Sequence, residues 1–272
     1  MSHIHVPDGI IALWLWILGY ILVGIYFLVV YFRFKQSENH KKLAIVGVVA
    51  ALMLLTMSIP VPFIIPYHVN LSSLAGILLG PLYAGLAIFS VNLILALVGH
   101  GGITVVGLNS IILLIEAAIA YLIYRNLLKL KSFSNLFLPE YGQPKGNIIK
   151  SKEFSAAFIA TFVALLVSTV LTIGVVYAGT RDLHNIMHAH CCHAHSDSVD
   201  DELHHVIYEH DEDFDDHDDF DEHDAEDFDI KRFLTLILIA GAFGWTMESL
   251  ATAFIVNYIN KVKPELLSDG GK

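Results

Sequence analysis

The sequence predicts an all-α integral membrane protein, a bundle of about seven transmembrane segments. Three observations predict it. Of 272 residues 55% are hydrophobic and 16% charged, with a mean hydropathy of +0.61; soluble domains carry about 45–50% apolar and about 25% charged residues. The apolar residues gather in uncharged runs of roughly the 20 residues a helix needs to cross a bilayer. The net charge of −11 is local: 18 of the 27 acidic residues lie between Asp197 and Asp229, a window without Lys or Arg. The rest of the chain sets 16 basic residues against 9 acidic, a balance of +7. Such a chain lacks the basic patch that phosphate neutralisation needs, which disfavours nucleic-acid binding.

The elements follow in order. Residues 1–9, Met1-Ser2-His3-Ile4-His5-Val6-Pro7-Asp8-Gly9, form a histidine-bearing segment ahead of the first span. Ile10 to Phe32 carries no charge, is too long and aromatic for a signal-peptide core, and is followed by no small-residue cleavage site. The polar stretch Arg33 to Lys42 closes it. Leu43 to Ile65 is the second span. Leu71 to Val98 is interrupted by Gly80-Pro81. Proline lacks a donor and breaks a helix, so this run reads either as one kinked helix or as two, divided between about Leu79 and about Leu82. Ile103 to Leu128 contains Asn109 and Glu116, Phe154 to Ala178 is clean, and Ile230 to Ile259 contains Glu248. The bundle therefore occupies 10–180 and 230–260, with an insert at 181–229 and a tail at 261–272.

Charge bias decides the Gly80-Pro81 question. Cytoplasmic loops carry excess Lys and Arg. If both halves of 71–98 cross, 13 of the 16 basic residues lie on one face. Seven passes follow, with the N-terminus outside and the C-terminus inside. The first half is too short for an ordinary span and is expected to be shielded by protein or partly re-entrant. The outer face then holds residues 1–9, His68, His100 in Gly99-His100-Gly101-Gly102, and the insert.

Ten of the 15 histidines fall between His184 and His223; the others are His3, His5, His40, His68 and His100. A free amine, a deprotonated backbone amide and a nearby imidazole together chelate late first-row ions such as Ni(II) and Cu(II). Met1-Ser2-His3 has that form; the plain alternative is a set of solvated polar residues. His68 and His100 are either metal ligands, imidazole being the common one, or interfacial anchors. Asn109, Glu116 and Glu248 are costly in hydrocarbon and should face the interior. They read as interhelical hydrogen-bonding groups or as groups that orient a ligand histidine.

In the insert, His188, His190, Cys191, Cys192, His193 and His195 offer weak metal sites. The composition cannot build a core, so the insert is expected to be a disordered antenna that concentrates ions, or else an acidic spacer. The two adjacent cysteines are not expected to pair. There is no phosphate-binding G-x-x-x-x-G-K-[ST], no H-E-x-x-H and no G-x-S-x-G, so no enzymatic activity is expected.

Four places resemble the CbiM/NikM family, the substrate-binding S component of energy-coupling-factor (ECF) transporters for cobalt and nickel. They are His5-Val6-Pro7-Asp8-Gly9; His68 with Leu74-Ala75-Gly76-Ile77-Leu78-Leu79-Gly80-Pro81; Gly99-His100-Gly101-Gly102-Ile103-Thr104 with Gly107 and Asn109; and Glu248 with Lys263-Pro264-Glu265-Leu266-Leu267. The resemblance implies a metal held by an N-terminal amine, the next backbone amide, its imidazole, and His68. The family usually begins one residue before its first histidine, here Ile4. The amine and imidazole are then those of Ile4 and His5, or of Met1 (Ser2 once Met1 is removed) and His3. His100 and Asn109 are implied to support the pocket. The cargo would be Ni2+ or Co2+, captured outside and released inward. The implied partners are a transmembrane coupling subunit, two cytoplasmic ATPases and, in cobalt-type members, a small accessory membrane subunit. The competing readings are a stand-alone Zn2+ or Cu transporter with a regulatory His-rich loop, and a membrane subunit that buffers metal.

Overall fold

A computed structural model describes residues 12–34, 40–58, 68–99, 102–130, 152–180 and 230–268. The described residues form eight helices and no strand: α1 Leu13–Phe34, α2 His40–Ser58, α3 Ser72–Leu79, α4 Pro81–Leu97, α5 Val106–Lys129, α6 Lys152–Thr180, α7 Ile230–Val262 and α8 Glu265–Ser268. Leu13–Phe34, Val106–Lys129 and Lys152–Val175 are long and apolar enough to cross a membrane, and Lys42–Ser58 and Pro81–Leu97 are shorter apolar helices. Each expected span has helix within it among the described residues, and residues 59–65 of the second lie outside them. Residues 103–105 form a turn before α5, and α8 is a single turn within the expected tail.

The break at Gly80-Pro81 yields two helices. Gly80 has φ 75° and ψ 163°, a backbone region open essentially to glycine alone. Pro81 follows at the first position of α4, where its missing N–H costs nothing. At about 1.5 Å per residue, α3 is only about 12 Å long.

Side-chain pairs give the helix directions. Phe34 near the end of α1 and Lys42 near the start of α2 both meet Tyr83 near the start of α4, while Phe27 meets Phe89. Thus α1 runs opposite to α4, and α2 runs with it. Asn92 of α4 reaches Ser110 of α5 at 3.1 Å, and Tyr20 of α1 donates to the Ile103 carbonyl at 2.5 Å, so α1 and α5 start at one end. Glu153 at the start of α6 is within electrostatic reach of Tyr124 near the end of α5. Phe154 meets Phe254 and Phe162 meets Trp245, which sets α7 antiparallel to α6. Directions alternate along the chain, with α3 doubling back into α4. One end of the bundle carries the starts of α1, α5 and α7 and the ends of α2, α4 and α6.

Small residues set the closest crossings, as expected where lipid supplies no hydrophobic drive between helices. A Cβ on Gly107 would stand 2.8 Å from the Tyr20 nitrogen, and one on Gly19 2.7 Å from the Leu108 nitrogen. A Cβ on Gly76 would collide with the carbonyl of Ala117, so α3 lies directly against α5. The core centres on this contact, with Leu74, Ala75 and Ile77 of α3 packed among Met53, Ala87, Ile88, Ala117, Ala157 and Ala253.

Candidate metal site

His68 stands four residues before α3, on a short segment between α2 and α3. It is half-buried. Its Nδ1 lies 2.8 Å from the carbonyl oxygen of Met57, in the last turn of α2. A carbonyl can only accept, so Nδ1 is the donor in this contact. A backbone carbonyl on one ring nitrogen is the common way a ligand imidazole is held in one tautomer and orientation. This contact places the His68 ring toward the end of the bundle where α1 begins.

A buried polar network lies directly beyond it. The backbone N–H of Asn70 donates to Glu248 Oε2 at 3.3 Å. Asn70 Oδ1 accepts the Ser72 N–H at 3.1 Å, and its Nδ2 donates to Ser72 Oγ at 2.9 Å. The hydroxyls of Ser72 and Ser73 donate to Glu116 Oε1, the latter at 2.9 Å. Asn70, Ser72, Ser73, Glu116 and Glu248 are all fully buried, at 0% exposure. Asparagine and serine suit the start of a helix because their side chains satisfy its free N–H groups. Here the asparagine does so for Ser72, and carboxylates from α5 and α7 complete the bonding.

Glu116 and Glu248 therefore face the interior, as expected of intramembrane acids. Asn109 is half-buried on the first turn of α5, where its N–H donates to the Val105 carbonyl. It lies about 10 Å along the axis from Glu116, beside the Gly19–Gly107 crossing. Met1, Ser2, His3, Ile4, His5 and His100 lie outside the described residues, as do His188, His190, Cys191, Cys192, His193 and His195. Among the described residues, no three His, Cys, Asp or Glu side chains come together as a metal cluster. Sequence reasoning missed Asn70, Ser72 and Ser73. Their signal was Asn70-Leu71-Ser72-Ser73, a run of capping-type residues set immediately before an apolar helix.

The family described as "CbiM: Cobalt uptake substrate-specific transmembrane region" matches residues 5–266. A solved structure described as a transition metal transporter superposes with a TM-score of 0.60 at 19% identity, covering 95% of this chain and 93% of that one. This likeness shows a shared helical membrane fold. No curated protein sequence matches the chain.

Proposed function

The chain belongs to the CbiM family of cobalt-uptake transmembrane regions, and from that premise we propose that it is the metal-capturing S component of an ECF importer for Ni2+ or Co2+. It is a multi-pass membrane protein of a metal-transport family. The finer reading concerns where the metal enters and what drives it. In this reading the end where α1 begins faces outward. There the cation meets the amine, amide and imidazole of the N-terminal segment, with His5 or His3 as its imidazole, together with Nε2 of His68. His100, ahead of α5 in the sequence, and Asn109, on the first turn of α5, support the pocket. A deprotonated amide ligand imposes the tetragonal geometry that suits Ni(II), whereas Zn2+ has no such preference. A coupling subunit and two ATPases supply the energy, with a small accessory membrane subunit where cobalt is the cargo. The histidines and cysteines of the insert bind metal weakly and raise its concentration near the site.

The observation that carries the proposal is the 2.8 Å contact between His68 Nδ1 and the Met57 carbonyl, which orients the ring beside the end of α2. Isothermal titration of the full-length chain with Ni2+, Co2+ and Zn2+ tests it. His68→Ala should abolish high-affinity Ni2+ and Co2+ binding, and so should an N-terminal extension that buries the amine. Affinity retained after both changes would refute the site. Co-purification with a coupling subunit and ATPases, and metal-dependent ATP hydrolysis by that complex, test the assembly.

A further inference from the structure

We propose that Glu248 and Glu116 are positioning residues for His68. Glu248 holds the backbone between His68 and α3, and Glu116 holds the side chains of the first two residues of α3, so that the imidazole is presented at one place and one angle. The proposal rests on the reading of His68 as a metal ligand.

Only Val69, Asn70 and Leu71 separate His68 from α3. The His68 ring is tied at Nδ1 to the end of α2. The place and angle of the ring also depend on how its own backbone is held. The hold comes two residues later, where Glu248 of α7 accepts the Asn70 N–H. The bonds continue through the Asn70 side chain to Ser72, and from Ser72 and Ser73 to Glu116 of α5. An unbroken path of hydrogen bonds therefore runs from α7 through the His68 segment to α5.

Packing and capping do not by themselves call for these acids. Gly76 against Ala117 already seats α3 on α5, and Asn70 Oδ1 already satisfies the Ser72 N–H. Carboxylates in a bilayer interior are costly. What they add is direction, because hydrogen bonds to charged or strongly polar acceptors hold a backbone at a set distance and angle. The effect belongs at the near end of α3, where the ligand is, rather than along the helix. Groups that orient a metal ligand typically contribute about ten- to a hundredfold in affinity.

Titration of Ni2+ into the full-length chain in detergent tests this, read with the ligand-field band of the bound ion and the thermal midpoint. Glu248→Ala should weaken Ni2+ binding by about tenfold or more and shift the band. Glu248→Gln, whose amide oxygen can still accept the Asn70 N–H, should restore both to near the parent values. A purely structural role would lower the midpoint of Glu248→Ala and leave affinity and band unchanged, and that result would overturn the proposal. If Glu248→Ala does not fold, the double change Ser72→Ala, Ser73→Ala decides, since it keeps both carboxylates and cuts Glu116 from the loop. A loss of about fivefold or more supports positioning; parent-like affinity and spectrum overturn it. His68→Ala run in parallel separates the two readings. If it binds Ni2+ normally, the ligand assignment itself fails. If it loses binding while the loop variants keep theirs, only the positioning role fails.

Discussion

α1 and α3 are both apolar helices, yet they meet their surroundings in opposite ways. Of the 22 residues of α1 only Leu15, Gly19, Val23 and Val30 are buried, whereas α3 buries seven of its eight, all but Leu78. The buried positions of α1 follow spacings of four, four and seven, a single stripe against the bundle. The rest of its surface, including Trp14, Ile21, Leu28 and Phe32, is exposed and suited to lipid. Hydropathy is thus a measure of what lipid requires, and it finds α1 readily. α3 is too short to register as a span, although it carries the segment on which the proposed ligand sits.

The largest expected effect breaks α3. In Gly76→Leu the new Cβ meets the Ala117 carbonyl, and no rotamer moves a backbone atom. About 3 kcal/mol or more should be lost, seen as failure to recover folded protein or a sharp fall in thermal midpoint. Gly24→Leu on α1 enters open space and should change stability by about 0.5 kcal/mol or less. Equal damage from the two would erase the contrast. Gly107→Leu comes next, forcing α1 off α5 at Tyr20 for about 1–3 kcal/mol, measured by the same thermal scan. Below Gly107→Leu stands Tyr26→Phe, which removes the 2.6 Å bond from its hydroxyl to the Leu82 carbonyl for about 1 kcal/mol. A larger loss there would mean that α1 depends on polar anchoring more than its lipid-facing surface implies.

Much of the fold was legible because its causes are local. Uncharged runs mark the spans, and Gly80-Pro81 marks a break that the backbone at Gly80 makes outright. Boundaries were less legible where tertiary contacts extend a helix. α2 begins at His40 rather than Leu43, and the Lys42 ammonium lies 5.5 Å over the Tyr83 ring of α4. α8 was missed as a helix because one turn has no period to read, though Pro264-Glu265 is a helix-start signal and Leu267 is buried in the core. At the site, Glu116 and Glu248 stood out as acids in apolar runs. Their partners did not, since the Asn70–Glu248 bond spans 178 residues. The Met57 carbonyl that holds His68 was equally hidden, because any backbone carbonyl could have served.

Gly80 also governs parity. In a chain whose helices alternate, the eight residues of α3 count as one whole traverse. Were α3 and α4 a single kinked helix, every later element would be reversed. The start of α5 and the ends of α4 and α6 would then be dealt to the rim opposite the start of α1. With the reversal, those ends, the start of α7 and the His68 segment share one rim. A backbone conformation available to glycine at one position thus sorts the remaining two-thirds of the molecule between the two sides of the bundle.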